Sequence, residues 1–388
     1  MRLQLIAGAV GLGAVAAAAA PAAADPERTD DDAAAAPGPA ATETASSVTA
    51  TARTYVDDDH VTVWSPAADV RFALGDRGWY QVGATIDAIS AASVDVVTAA
   101  SPVEVSELRV ELDGRASWRL RPGLDAIAGA VVSEEHDHAG VRGDVGARAS
   151  IADDNATVEV RLTGGFDRTS DVTDPTFVGH RTSVGALATV AQVVDRRTIV
   201  DATLELERSD GWHGSPYRRV PIEDPAMPVA AFVREATPAL RQAVAASVRG
   251  RRALGERWFA QASVRGYVDD WAMASATGEV ALRRQLGARA LLGASVRGYR
   301  QGGADFYAAH YLAADGAIPT LRTRDRALGP MASAEVTVAA DVALTHRRDA
   351  PRLLASLGEL RLWFFDAPIQ QHRRATLATL SIDLPWTW

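Results

Sequence analysis

The sequence contains no cysteine and no lysine, and the first of these absences limits what the protein can be. Without cysteine there can be no structural disulfide, no thiol catalysis and no lipid-modified N-terminal cysteine. Arginine carries all of the positive side-chain charge, which we attribute to a GC-rich genome rather than to function. The net charge of -9 disfavours nucleic acid as a partner, because phosphate binding requires a basic surface.

Long hydrophobic runs are also missing beyond the N-terminus. No later stretch stays apolar for the roughly 18 residues that a membrane helix requires, which excludes a helical membrane protein. Residues 1–24 have the pattern of a cleaved signal peptide, with Arg2, then the apolar run Leu3 to Ala20, and then three alanines before Asp25. The alternative, an uncleaved membrane anchor, is disfavoured by the alanine-rich and only mildly apolar run.

The segment 25–46 is rich in Ala, Pro, Asp and Glu and contains no aromatic residue. Such a composition cannot bury enough apolar surface to offset the loss of chain entropy. We therefore expect it to be a flexible periplasmic tail.

From about Ser47 onward, apolar and polar residues alternate, which is the pattern of strands with two different faces. The clearest segment runs from Leu108 to Leu120. Similar segments of about 10 to 13 residues recur, the length of a tilted strand that crosses the hydrocarbon layer of a membrane. In the clearest segment one face carries Leu108, Val110, Leu112, Gly114, Ala116, Trp118 and Leu120, and the other carries Arg109, Glu111, Asp113, Arg115, Ser117 and Arg119.

Short and long connections alternate between these segments. The short ones, at 75–78, 121–123, 153–155, 195–197, 254–256, 286–288 and 347–351, carry residues typical of tight turns. The longer ones lie near 90–104, 167–180, 210–238 and 301–327. We therefore predict an all-β fold for residues 47–388: a transmembrane, antiparallel, up-and-down β-barrel of about 16 strands (roughly 14–18), with short periplasmic turns and longer extracellular loops. The strand count depends mainly on how Ser47–Val56 and the segment 328–365 are divided into strands.

The last predicted strand supports this assignment. Its apolar face ends in Trp386 and Trp388, and a final strand that ends in an aromatic residue resembles the signal read by the barrel-assembly machinery. Aromatic residues also lie near other predicted strand ends, where girdles form at membrane surfaces: Tyr80, Trp118, Trp258, Trp271 and Trp363. A secreted soluble all-β protein is the alternative fold, but the C-terminal signal, the loop asymmetry and the strand length disfavour it. The expected location is the bacterial outer membrane, and the expected partners are membrane lipid, lipopolysaccharide and the assembly machinery.

Five motifs resemble those of a bacterial barrel family of unknown function, the domain of unknown function 3570. They are Tyr55-Val56-Asp57-Asp58-Asp59-His60, the stretch from Asp87 to Asp95, Gly214-Ser215-Pro216-Tyr217-Arg218, Tyr267-Val268-Asp269-Asp270-Trp271, and the stretch from Tyr299 to Tyr307. The resemblance spans about residues 50–388. It implies an outer-membrane barrel and no particular reaction. Since the motifs fall at predicted outer strand ends and loops, the feature that they share is expected at the extracellular mouth.

A repeated five-residue motif indicates residues that line the lumen of the barrel. It occurs at 246–250, 262–266 and 294–298, and in each copy an arginine follows an outward-facing valine. Either these arginines line a lumen that favours anions, or they pair with carboxylates in a structural role, the interpretation that we prefer. Together with the segment 108–120, the candidate lumen-lining residues are Arg109, Glu111, Arg115, Arg249, Arg265, Glu279, Arg297 and Glu335.

Metal binding and catalysis have weaker signals. Glu134, His136 and His138 combine imidazole and carboxylate ligands for a divalent transition metal, but at a spacing that matches no closed site. The runs Asp57–Asp59 and Asp269–Asp270 could hold calcium or magnesium that bridges lipopolysaccharide, although solvated loop acids are the simpler interpretation. No spacing singles out a Ser–His or Asp–His pair, so we predict neither an enzyme nor a cofactor.

The leading interpretation of function is a passive pore for small polar solutes. The alternative is a barrel plugged by its loops, which acts as a scaffold or a partner-binding protein of the outer membrane.

The C-terminal signal gives a first prediction. Deletion of Trp388, or its replacement by a charged residue, should lower the amount of protein in the outer membrane, because the terminal aromatic residue is read during insertion. Membrane fractionation measures this. Normal outer-membrane levels of the truncated chain would contradict the assembly role.

Overall fold

A computed structural model describes residues 46–91, 105–224, 231–313, 317–347 and 350–386. The predicted signal peptide and the predicted tail lie outside these residues, except for Ser46, which begins the first strand. Trp388 and the end of the second family motif also lie outside them. Within the described residues, no helix is long and apolar enough to cross a membrane.

Sixteen antiparallel strands form one closed barrel, as the sequence predicts. Three further strands form a separate small sheet: β10 (Arg219–Glu223), β11 (Ala231–Arg234) and β16 (Tyr311–Leu312). The wall consists of β1 (Ser46–Asp57), β2 (Val61–Ala73), β3 (Gly78–Ala91), β4 (Val105–Arg121), β5 (Leu124–Glu134), β6 (His138–Ile151), β7 (Ala156–Asp171), β8 (Asp174–Asp195), β9 (Thr198–Gly211), β12 (Leu240–Ala253), β13 (Trp258–Asp269), β14 (Ala274–Leu286), β15 (Ala290–Gln301), β17 (Met331–Ala343), β18 (Arg352–Phe364) and β19 (His372–Trp386).

The first and last strands close the barrel. They pair in continuous register from Ser46 opposite Trp386 to Asp57 opposite Ala375. This closure satisfies the backbone donors and acceptors that an open sheet edge would expose. The N-terminal end of β1 and the C-terminal end of β19 lie together at the end of the barrel that carries the short connections. We call this the turn end, and the opposite one the loop end.

The alternation in the sequence corresponds to the two faces of the wall. On β4, Leu108, Leu112 and Leu120 are exposed on the outside of the barrel, whereas Glu111 and Ser117 are buried on the inside. The outward face is therefore apolar and the inward face polar. Because water-facing outer walls would reverse this arrangement, the barrel has the surface expected of a protein surrounded by lipid.

Aromatic residues collect on the outside at the turn end. Tyr80, Trp118 and Trp258 are exposed there, and Phe72 stacks on Tyr80 with ring centroids 4.8 Å apart. Phe72 also contacts the ring of Trp386 edge-on. Trp363 lies at the loop end. The prediction for Trp271 was wrong, because this side chain is buried in an apolar cluster beneath the loops rather than exposed at a membrane surface.

The predicted long loop at 167–180 was also wrong. β7 continues to Asp171 and β8 begins at Asp174, so only a tight turn joins them. Some of the polar residues that suggested a loop face the inside of the barrel, where Asp167 pairs with Arg181 and Thr169 is buried. Polar side chains at the end of a strand thus marked the lumen and not a solvated loop.

The alternation on β4 gives a prediction about stability. Val110→Arg should destabilise the barrel by about 2–4 kcal/mol, because it places a charge on the lipid-facing side. The neighbouring change Glu111→Gln should cost much less, since it keeps a hydrogen-bond acceptor on the inner face. Urea unfolding in lipid vesicles measures both variants. A larger loss for Glu111→Gln would mean that the register is shifted by one residue.

Candidate functional site: the lumen and its capped mouth

All eight candidate lumen residues lie on wall strands and face inward, but their charges are largely compensated. Arg109 is 2.7 Å from Glu111 and 3.7 Å from Glu135. Arg115 is half-buried on the inner face of the same strand. This side of the lumen is therefore lined by paired charges.

The arginines of the repeated five-residue motif are paired with carboxylates as well. The distance from Arg249 to Asp201 is 3.1 Å, and that from Arg265 to Glu205 is 2.7 Å. Arg297 stands directly between two carboxylate-bearing positions in the sheet, opposite Glu279 on β14 and Glu335 on β17. The geometry therefore agrees with the structural interpretation of this row.

Glycines on the inner face let long side chains lie flat against the wall. Gly165 is opposite Arg142, and a Cβ at Gly165 would come within 3.0 Å of the Arg142 Cγ atom. Likewise, a Cβ at Gly140 would come within 2.9 Å of an Asp167 carboxylate oxygen. A side chain at either position would push its polar neighbour toward the axis of the lumen. The glycines thus keep the lumen wider than its charged residues alone would allow.

At the loop end, two connections fold together into what we call the cap, which comprises the described residues of 212–239 and 302–330, namely 212–224, 231–239, 302–313 and 317–330. The cap contains the small sheet, in which β10 pairs with β11 and with β16, so that both connections contribute strands. Val220, Ile222 and Tyr311 form its buried apolar centre. A second apolar cluster joins the cap to the β13–β14 turn and contains Trp271, Met273, Ala304, Phe306 and Leu328.

A buried carboxylate fastens the two connections to each other. Glu235 accepts hydrogen bonds from the Ser215 backbone N–H, from Arg218, and from the Thr323 hydroxyl at 2.8 Å. Arg218 also lies 2.7 Å from Asp325. Since a buried charge is costly unless it is paired and hydrogen-bonded, this network holds the cap in one arrangement.

Besides the apolar cluster at the β13–β14 turn, polar contacts attach the cap to three further hairpins at the barrel rim. Arg326 approaches Asp59 of the β1–β2 turn at 3.6 Å. The Val172 backbone N–H in the β7–β8 turn donates to the Tyr217 hydroxyl at 3.1 Å. The Tyr307 hydroxyl donates to the Asp366 carbonyl, between β18 and β19, at 2.8 Å. Because these hairpins lie at different places around the rim, the cap spans the mouth of the barrel.

Two of the family-like motifs form the same turn twice. In the β1–β2 turn, Asp57 accepts from the Tyr55 hydroxyl and from the backbone N–H groups of Asp59 and Val61. In the β13–β14 turn, Asp269 accepts in the same way from Tyr267, Trp271 and Met273. The fifth residue after each Tyr, His60 in one and Ala272 in the other, has φ near +60°: 59° and 64°.

Each repeated turn is clamped by an arginine of the neighbouring wall strand. Arg241 approaches Asp269 at 2.6 Å, and Arg373 pairs with both Asp57 and Asp59. The prediction of solvated loop acids was therefore wrong for the first Asp of each run, and for Asp59. Their carboxylates are buried because they close the turns and neutralise arginines.

The candidate metal ligands are not brought together. Glu134 and His136 are exposed, whereas His138 is buried and faces Asp167 at 3.5 Å. Within the described ranges, no group of three or more His, Asp or Glu side chains is placed to hold a metal ion.

Residues 161–351, which include the third and fourth motifs and the whole cap, match the model of a family described as a protein of unknown function, DUF3570. The matched segment resembles that family. No curated protein matches the chain in sequence. The family match agrees with the resemblance of the third, fourth and fifth motifs, which it contains. The third contributes to the hydrogen-bond network of the cap, and the fourth closes the β13–β14 turn.

Several solved structures are similar to this chain at low sequence identity. One described as a bacterial polysaccharide outer membrane secretin is 10% identical over 89% of this chain and 99% of its own, with a TM-score of 0.48. The outer membrane protein OprD from Pseudomonas aeruginosa is 9% identical over 89% and 94%, with a TM-score of 0.42. The CymD monoaromatic hydrocarbon channel is 7% identical over 89% and 90%, with a TM-score of 0.45. Similarity at this level carries no information on a substrate.

One polar pair at the mouth was missed in the sequence. The Ser209 hydroxyl lies 2.8 Å from His213 Nε2, and His213 Nδ1 lies 3.0 Å from the Gly211 carbonyl. The separation of four residues between Ser209 and His213 is the feature of the sequence by which the pair could have been identified. Ser209 is only 1% exposed, so it cannot meet a substrate, and the pair fixes the start of the cap. Burial, followed by the charges of Arg181 and Arg241, lowers the pKa of His213 to about 4.

This pKa gives a prediction about the cap. A histidine that is free of these contacts titrates near 6.5, so an opened cap binds a proton more readily than the closed one does. The contribution of His213 to cap stability should be complete above about pH 6.5 and should be lost as the pH falls toward 4. Hydrogen exchange of residues 212–217 should accelerate over that range. Asparagine does not titrate, so in the variant His213→Asn the rate of hydrogen exchange should depend much less on pH. A pH profile equal to that of the wild type would contradict the assignment.

Proposed function

We propose that this protein is an outer-membrane channel for small polar solutes, with a folded cap across its outer mouth. The observation that carries the proposal is the inner wall. Sixteen strands enclose a lumen wide enough for water, and charged and hydroxyl side chains form much of its surface. A barrel that served only as a membrane anchor has no need of such a surface.

The outer wall supports a location in the outer membrane. An apolar outward face and a sheet without edges suit a protein surrounded by lipid, and among such proteins short turns face the periplasm. We therefore place the turn end in the periplasm and the capped loop end outside the cell. In this orientation the cap is the first part of the protein that a solute meets.

The cap also favours the second candidate, a plugged scaffold barrel. Its attachments at several rim hairpins would hold a plug in place as well as a gate. The two functions differ in one measurable respect. A channel must conduct when the cap is displaced, whereas a scaffold has no requirement for an open path.

Conductance in planar bilayers tests this difference. The double variant Tyr307→Phe with Arg326→Gln removes two attachments of the cap without changing the membrane-spanning wall. It should increase the open probability relative to the wild type, because the cap then spends more time displaced. Arg208→Gln, an exposed change on the outside of the rim, is the control and should behave as the wild type. Absence of conductance in both the wild type and the double variant would favour the scaffold.

Ion selectivity tests the charge pairing of the lumen. Changing Arg249, Arg265 and Arg297 together to Gln leaves their partner carboxylates uncompensated. The reversal potential in a salt gradient should shift toward cation preference, and the shift should shrink at high salt because of screening. A control with the same change in net charge replaces the outward-facing Arg168, Arg208 and Arg284 by Gln. Equal selectivity in the lumen variant and this control would show that the three arginines do not face the ion path.

A further inference from the structure

Three of the charged residues that face outward near the loop end lie close together on neighbouring strands. Glu359 and Arg361 of β18 and Arg374 of β19 lie on the outward face, and we call them the outer arginine patch. The side chains of Arg361 and Arg374 are 59% and 61% exposed. Along the same strand, Leu353 and Leu357 face outward as well, which is the apolar surface expected there.

The two arginines are held side by side. Arg361 and Arg374 are direct partners in the sheet, an arrangement of like charges that destabilises a strand pair unless something neutralises it. Glu359 lies 2.8 Å from each guanidinium and bridges them. Asp58 adds a second carboxylate nearby, and it accepts from the Arg374 backbone N–H at 3.0 Å. Each guanidinium has five N–H groups, and their high exposure leaves donors open to the surroundings.

The outer wall beside the patch carries small residues. Ala334 is the sheet partner of Arg361, and Gly298 is the partner of Ala334. A Cβ at Gly298 would meet nothing within 4 Å. Arg300 is exposed nearby and lies over the ring of Phe365. The patch therefore has room beside it for a bulky group and a third guanidinium at its edge.

The repeated turn shows that the fold does not require this patch. Asp58 binds the backbone of Arg374, and Asp270 binds the backbone of Gln242 in the same way. By the sheet register, Arg361 then corresponds to Arg208, and Glu359 corresponds to Leu206. The copy on β18 and β19 thus carries Arg374 and Glu359 at the positions where the copy on β9 and β12 carries Gln242 and Leu206.

We propose that the outer arginine patch binds the phosphorylated sugar headgroup of lipopolysaccharide. The inference depends on the outer-membrane location proposed above but not on conduction. At the loop end the surrounding leaflet is built of this anionic glycolipid, and guanidinium groups bind phosphate through paired, charge-assisted hydrogen bonds. A phosphate accepts from Arg361 and Arg374, the sugar rests over Gly298 and Ala334, and the acyl chains follow exposed apolar residues such as Leu357. Glu359 keeps the two guanidinium groups together for this contact.

The first experiment measures retained lipopolysaccharide. The wild type, the double variant Arg361→Gln with Arg374→Gln, and the control Arg168→Gln with Arg208→Gln are purified from outer membranes in the same detergent. Lipopolysaccharide per protein should fall at least about fivefold in the first variant, because charge-assisted hydrogen bonds to phosphate are lost. The control has the same change in charge on the same rim and should retain the wild-type amount. Equal retention in all three proteins, or an equal loss in both variants, overturns the proposal.

A second variant keeps the proposal testable if the double variant does not assemble. Glu359→Gln leaves Arg361 and Arg374 opposed without their bridging carboxylate, so its melting temperature in detergent free of lipopolysaccharide should fall below that of the wild type. Addition of purified lipopolysaccharide should restore it, since phosphate takes the place of the carboxylate. No restoration overturns the proposal. If the wild type is instead an oligomer that dissociates on substitution while its lipopolysaccharide content stays constant, the patch is an interface between copies. Conductance is unaffected by any of these outcomes, so failure here is distinct from failure of the channel.

Discussion

The requirement that every backbone donor and acceptor be satisfied inside a lipid layer governs the rest of this structure. It is met when β1 pairs with β19 and leaves the barrel without an edge. Once the ladder is closed, the period of two in each strand assigns every residue to lipid or to the lumen. Leu112 and Glu111 are neighbours in sequence and yet face different solvents. The apolar exterior and the polar interior are therefore two consequences of one closure.

The interior then has to accommodate its own charges. Arginines and carboxylates meet across neighbouring strands, as Arg249 and Asp201 do, so that the lumen carries mixed charge and not a row of one sign. Inward-facing glycines such as Gly165 give these side chains space against the wall. At the mouth the same chemistry is used with greater burial, and Glu235 joins two long connections into the cap. Pairing of charges thus determines both how wide the lumen is and how its mouth is covered.

The sequence predicted the barrel because its signal is local. Thirteen residues of alternation, such as Leu108 to Leu120, are enough to show a membrane-spanning strand, and the strand number and alternating connections followed from counting them. The cap and its clamps were not predicted, because their partners are distant in the chain. Arg373 and Asp59 are 314 positions apart, and no spacing shows that they meet. Trp271 and the run Asp57–Asp59 were misread for a related reason, since an aromatic or acidic residue at a strand end has the same local pattern whether it faces lipid, water or a folded cap.

The two copies of the Tyr-Val-Asp-Asp turn separate what the fold needs from what it does not. Both keep the tyrosine, the first aspartate and a clamping arginine, Arg373 in one copy and Arg241 in the other, so these residues serve the turn itself. The copies differ on the outer surface, where Arg374 stands in the place of Gln242. Arg374 makes the same backbone contact as Gln242 but has a different side chain. The turn does not need that side chain, which is therefore free to serve another purpose. On the outside of a barrel in lipid, a charge is costly unless something binds it, and Glu359 contacts both guanidinium groups but leaves their side chains 59% and 61% exposed. The exposed N–H donors of this guanidinium pair give this side of the barrel a means to bind an anionic headgroup that the equivalent surface beside β12 lacks.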